Sequence, residues 1–275
     1  MITYIPDGLE EEAAVARTTH LAIAAHQDDI EFMAYAPTAE CFGAQDKWFG
    51  AIVVTDGAGS PRSGIYADYT DEEMKKVRIV EQKKAAFVGE YSFLALLGHP
   101  SKAVKEGERA IVEELASLIK RAKPKYLYTH NLADKHETHV ATALRVIAAL
   151  RLLKPEERPE KVFGCEVWRD LDWMNDDEKV YLDCGAHPNL MRALSAVFDS
   201  QIAGGKRYDL AAEGRRLANA TFSASHACDT YSALNYAMDL TPLMDDRVEI
   251  SAYVSCFIDR FKAQVQENIG RFLCR

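Results

Sequence analysis

Through the first half of the chain, short apolar runs alternate with longer stretches whose apolar residues recur every three to four positions. The runs at 21–25, 49–55, 91–97 and 126–129 predict buried strands, since a strand covered on both faces needs no polar alternation. The stretches between them predict helices at 30–42, 71–89, 106–122 and 138–153. Thr70 and Glu73 make a capping box ahead of the second helix and Gly89 supplies its stop. Pro37 shortens or kinks the first. The alternation predicts an α/β fold, with a mostly parallel sheet, right-handed crossovers and helices on both faces. From Pro155 the rhythm changes: strands are expected at 162–168 and 179–183, helices at 190–198 and 210–220, and a long amphipathic helix at 251–273. No Gly/Ser/Pro-rich linker separates the parts. The reading is therefore one domain over 1–275, a core over 1–154 carrying an elaboration over 155–275.

Composition narrows the function. At 275 residues and 48% hydrophobic, the chain can bury a full core. Its net charge of −9 argues against a nucleic-acid partner, because phosphate binding needs basic surface. No run is long enough to span a membrane. The segment 1–12 lacks the basic and apolar regions of a secretory signal, and the six cysteines form no Cys-x-x-Cys pair. A cytoplasmic protein with reduced thiols is expected. The long terminal helix permits a homo-oligomer.

The chemistry gathers at two strand ends. The run at 21–25 leads into His26-Gln27-Asp28-Asp29-Ile30-Glu31, and the run at 126–129 into His130-Asn131-Leu132-Ala133-Asp134-Lys135-His136-Glu137-Thr138-His139. Carboxyl ends of parallel strands are where open α/β sheets bind ligands. Imidazole and carboxylate suit zinc or another divalent transition metal, and a catalytic site uses three protein ligands with one position open. His26, Asp29 and His139 supply three, for one cation per chain. Asp28 is placed to act as general base, and His136, three residues before His139, to face a substrate carbonyl. Asp134 is suited to hold a histidine ring, and His130 to support the ligands from behind. Arg62 and Tyr66, in the loop after the second strand, are candidates to touch substrate. Residues 204–208 are a candidate cap, with a surface turn the slightly favoured alternative. Trp168 reads as core or rim rather than a sugar-stacking platform, and His226 as structural.

These segments resemble the LmbE-like, or PIG-L, zinc-dependent N-deacetylases. Ala25-His26-Gln27-Asp28-Asp29-Ile30-Glu31 resembles their Ala-His-Pro-Asp-Asp-x-Glu signature, with Gln27 in place of proline. Asp134-x-His136-x-x-His139 resembles their second signature. Thr55-Asp56-Gly57-Ala58-Gly59 and Arg78-x-x-Glu81 resemble two further segments, and Ser200-Gln201 a late one in which Phe198 stands where a histidine is common. The resemblance implies a Rossmann-like three-layer sandwich and hydrolysis of an N-acetyl group from a small N-acetylglucosamine-type sugar or its conjugate. It implies zinc on His26, Asp29 and His139, Asp28 as base, His136 at the oxyanion or in proton transfer, and Arg78 on the substrate or ordering the site. Asp28 and His136 both remain candidates for the general acid. An amidase releasing a larger acyl group, and a non-catalytic metal- or sugar-binding protein, are the alternatives.

Overall fold

The computed structural model describes residues 1–166, 168–223 and 227–273. Val167, His226 and Cys274 lie outside the described residues. In chain order the strands are β1 (Ile2–Tyr4), β2 (His20–Ala24), β3 (Phe49–Thr55), β4 (Phe93–His99), β5 (Tyr126–His130), β6 (Lys161–Glu166), β7 (Val180–Asp183) and β8 (Leu234–Asp239). The helices are α1 (Glu11–Ala16), α2 (Asp29–Met33), α3 (Tyr35–Cys41), α4 (Asp71–Val88), α5 (Ser101–Glu106), α6 (Arg109–Ala122), α7 (Glu137–Leu152), α8 (Pro188–Ala196), α9 (Asp199–Ile202), α10 (Tyr208–Ala220) and α11 (Ile250–Leu273).

All eight strands join one sheet in the order β1-β4-β3-β2-β5-β6-β8-β7. From β4 to β6 the pairings are parallel; β1 pairs antiparallel with β4, and β8 antiparallel with both β6 and β7. Along β2 the side chains alternate between two cores. Leu21 and Ile23 enter the layer built with α6 and α7, while Ala22 and Ala24 face the layer built with α2 and α10. The expected three-layer α/β architecture is thus present, and the segment after Pro155 extends the same sheet.

Several boundaries differ from expectation for local reasons. The helix expected at 30–42 is two helices broken at Ala34, and Pro37 falls in the first turn of α3, where its missing N–H costs nothing. The helix expected at 106–122 begins at Arg109; Gly107, at φ 79°, closes α5 in the left-handed conformation that ends helices. Strands β1 and β8 and helices α1, α5 and α9 are additions to the predicted elements.

Candidate metal and active site

The chain runs from β2 outward to β3 and β4, then returns to place β5 on the other side of β2. The crevice of such a sheet opens at the carboxyl ends of the two strands where the order reverses. His26 and His130 lie at those ends. They are tied by the backbone, since the Ala25 N–H donates to His130 Nε2 at 2.8 Å. The turn into α2 is tight. Asp28 sits at φ 91°, ψ −32°, a conformation few residues other than glycine adopt. Helix α4 holds it there: the Asp28 N–H donates to Gln82 Oε1 at 3.0 Å, Arg78 lies 3.1 Å from Asp28 Oδ2, and the Arg78 guanidinium donates to the Gln27 carbonyl. Strain at such a turn persists only where its surroundings fix it. Arg78 is itself buried and braced by Glu81 at 3.2 Å and Ser200 Oγ at 3.3 Å.

Three donor groups converge in front of this turn, two ring nitrogens and the Asp29 carboxylate with both its oxygens. His26 Nδ1 is 3.1 Å from Asp29 Oδ2, His139 Nε2 is 3.3 Å from Asp29 Oδ1, and the two ring nitrogens are 3.3 Å apart. Donors bound at about 2.0–2.1 Å in a tetrahedral zinc site lie roughly 3.3 Å from one another, so the spacing fits a common cation. Asp134 Oδ2 is 3.1 Å from His139 Nδ1 and directs that proton away from the cluster, leaving Nε2 as the lone-pair nitrogen. Two overlapping groups, His26 with His136 and His139 and Asp29 with His130 and His139, also have donor atoms within 4.8 Å of one another. In the second of these His130 Nε2 already accepts the Ala25 N–H, so its lone pair is committed. His130 instead stacks flat on His139, with ring centroids 4.0 Å apart, and fixes the ring plane.

The electrostatics ask for positive charge at the same point. Burial pushes Asp29 up, but His139, His26 and His130 draw it well below the usual carboxylate range. Burial also lowers His139, yet the Asp29 carboxylate and then Asp134 carry it up to about 10, so a proton is retained where a cation fits. Asp28, outside the donor triangle, is pushed up to about 6 by burial against the pull of Arg78. His136 caps α7 and its Nδ1 accepts the Thr138 N–H at 3.3 Å, which leaves Nε2–H as a donor. Burial, then His139 and His26, hold its pKa down, so it is a neutral donor near pH 7.

A cavity of about 730 Å³ opens in front of these groups. His26, Asp28, Asp29, Arg78, His136 and His139 line it together with Trp168, Gln201, Lys206 and Tyr208. The structure therefore gathers most of the sequence candidates. It does not bring in two of them: among the described residues, neither Arg62 nor Tyr66 reaches the cavity lining. Arg62 pairs with Asp71 at 2.5 Å and the Tyr66 hydroxyl donates to Asp199 at 2.6 Å, so the two tie the loop to the starts of α4 and α9. Phe198 is fully buried with its ring 5.6 Å from the Arg78 guanidinium, and braces that group from beneath. Trp168, expected in the core or at the rim, lies on the cavity wall. With Tyr208, from the candidate cap at 204–208, it forms an aromatic side at a centroid distance of 5.1 Å.

A family model described as PIG-L, GlcNAc-PI de-N-acetylase, matches residues 21–150. That span contains both ends of the site. Residues 21–150 are a PIG-L domain. The chain is also similar to solved structures over most of its length. The conserved protein TT1542 of Thermus thermophilus is 18% identical with a TM-score of 0.63, over 81% of this chain and 94% of that one. The 4-carboxy-2-hydroxymuconate hydratase of Pseudomonas putida is 16% identical with a TM-score of 0.64, over 84% and 98%. The N,N'-diacetylchitobiose deacetylase of Pyrococcus horikoshii is 12% identical with a TM-score of 0.64, over 86% and 88%. At these identities the likeness establishes the fold alone. No curated protein matches the sequence.

Proposed function

We propose that this PIG-L protein is a zinc-dependent hydrolase that removes the N-acetyl group from a small amino sugar or its conjugate. The observation that carries the reading is the triangle of His26 Nδ1, the Asp29 carboxylate and His139 Nε2, spaced for one cation, with a further buried carboxylate, Asp28, beside it on the cavity wall. A binding protein has no use for that second carboxylate. When bound, such a cation lowers the pKa of water toward about 7 and polarises an amide carbonyl. Asp28 then takes the proton from the attacking water, and its raised pKa makes it a stronger base than an exposed aspartate. Arg78 keeps that carboxylate turned to the cavity through the 3.1 Å contact at Oδ2. His136 donates Nε2–H to the oxygen on which negative charge develops. Because His136 is a neutral donor, Asp28, once protonated, is the better source of the proton that the departing amine requires. Trp168 and Tyr208 offer faces on which a sugar ring can stack.

The test is acyl release. The zinc-loaded protein is incubated with N-acetylglucosamine, its glycosides and N-acyl analogues of increasing chain length, and the freed amine is titrated. Release of acetate, with about one zinc per chain, supports the proposal; preference for longer chains moves the reading to a general N-acyl amidase. Full metal content with no amine from any substrate rejects both. A second reading comes from the Pseudomonas putida neighbour, whose name specifies a hydratase on this same fold. Lys135, Lys206 and Arg215 on the cavity lining suit a carboxylated substrate. Loss of absorbance from an unsaturated dicarboxylate, without amine release, is the outcome that favours it.

A further inference from the structure

Helix α11 leaves the body of the protein. Over its first turns it is anchored: Tyr253 and Phe257 pack on the main core, the Tyr253 hydroxyl donates to the Asp239 carbonyl at 2.6 Å, and Arg260 pairs with Glu178. After Phe261 every described residue of the helix is exposed, and no residue of the whole helix is buried. At 1.5 Å per residue the exposed portion projects by roughly 18 Å.

That portion is not polar all round. At 100° per residue, Val254, Ile258, Phe261, Val265, Ile269 and Phe272 fall on one arc of about 80°, one apolar residue per turn. Ile258 is 43% exposed, Val265 40% and Ile269 54%. No charged residue falls within the arc. Its first part borders the anchored side, where Val254 and Phe261 are half-buried, but Ile258 and the residues from Val265 onward are exposed, so contact with the body does not explain that portion. Relative to Val265 the stripe is symmetric: Phe261 and Ile269 stand four residues either side, Ile258 and Phe272 seven. A stripe that reads alike in both directions matches an antiparallel copy of itself layer by layer, which is the requirement of a two-fold contact.

We infer that α11 pairs with α11 of a second copy of this chain, crossing at Val265, to form a homodimer. Other occupants fit less well. A membrane-surface helix gathers Lys and Arg on its polar face, whereas this one mixes Asp259, Glu267, Arg260, Lys262 and Arg271 with three amides, in a chain of net charge −9. A charged partner would find nothing to pair with on the stripe. Spacing of one residue per 3.6-residue turn gives straight helices that touch around a centre rather than a sustained supercoil. The contact is therefore short, at or below the roughly 1,200 Å² that separates weak from stable interfaces, and the dimer is concentration-dependent.

Sedimentation velocity on the full chain across roughly 1 to 100 µM tests this. The expected result is a weight-average mass that rises above 30.7 kDa toward twice that value. Ile269→Glu, on the exposed stripe, should hold the mass at the monomer value with unchanged circular dichroism and melting temperature. Gln266→Glu, on another face of the same helix, should leave dimerisation intact. A wild-type mass fixed at the monomer value overturns the inference, as does a dimer that persists in Ile269→Glu or is lost equally in Gln266→Glu. Binding of the monomer to anionic vesicles, in place of self-association, overturns it in favour of a lipid surface.

Discussion

Replacing Asp134 by Asn tests whether the cluster is built to hold a cation. Asp134 serves two groups: Oδ1 accepts the His136 N–H at 2.7 Å, and Oδ2 stands 3.1 Å from His139 Nδ1. Asparagine is nearly isosteric but cannot do both. With its oxygen on the His136 N–H, its amide NH₂ faces His139 Nδ1, which must then accept, and the ring proton moves to Nε2. That nitrogen is the one that points at Asp29 and His26, so the ligand lone pair is lost. Turning the amide over restores the tautomer and sets NH₂ against the His136 N–H, two donors face to face. Either way the cation must work against a tautomer shift or an unsatisfied donor. Losing such a carboxylate partner typically costs 10–100-fold in metal affinity, or about 1.4–2.7 kcal/mol. The assay is competition for zinc with a chromophoric chelator at pH 7, giving Kd for wild type and Asp134→Asn, with circular dichroism to confirm folding. A Kd within twofold of wild type would show that His139 Nε2 is not a ligand or that Asp134 does not set its tautomer.

Asp28→Asn should keep zinc affinity within a few fold, because Asp28 lies outside the donor triangle, and should lower kcat on the order of 100- to 10,000-fold; equal losses of zinc and turnover would make Asp28 a ligand. Glu31 is pushed up to about 8 by burial, against hydrogen bonds from Tyr91 and Gln82. Its folded pKa exceeds its unfolded one, so the folded state holds the extra proton and stability falls as pH rises from about 4.5 to 8, by up to about 1.4 kcal/mol per pH unit. Glu31→Gln keeps the acceptor and removes the titration, so its melting temperature should exceed that of wild type increasingly from pH 5 to pH 8; a pH-independent difference contradicts this. Gly57 has φ 77°, and a Cβ there would stand 2.7 Å from Gln27 Oε1 and 3.1 Å from Arg78 Cβ. Gly57→Ala should therefore destabilise the fold by about 1–3 kcal/mol, read by urea denaturation, and displace the Arg78 support of Asp28.

Both halves of the donor cluster were legible in the sequence because each follows directly from a buried strand, and strand ends are fixed by the sheet that contains them. Their convergence follows from β2 and β5 being neighbours. The strand alternation made that adjacency plausible, but only the sheet order established it. Local strain was not legible: nothing in His26-Gln27-Asp28 announces a positive φ at Asp28, which is set by Gln82 and Arg78 more than 40 residues away. The far wall was harder still. Trp168, Gln201, Lys206 and Tyr208 come from segments whose periodicity describes their own helices and strands and says nothing of what they face. Conversely, Arg62 and Tyr66 had the right chemistry in the right loop and were satisfied by Asp71 and Asp199 instead. The division has a physical cause. Metal donors must sit within a few ångströms of one another on rigid elements, which leaves a compact trace in the chain. A substrate wall needs only surface of the right character, and any element that the fold brings to the crevice can provide it. The donor set is thus written in two short motifs, while much of the cavity wall comes from the segment after Pro155, where only the short Ser200-Gln201 segment resembles a motif.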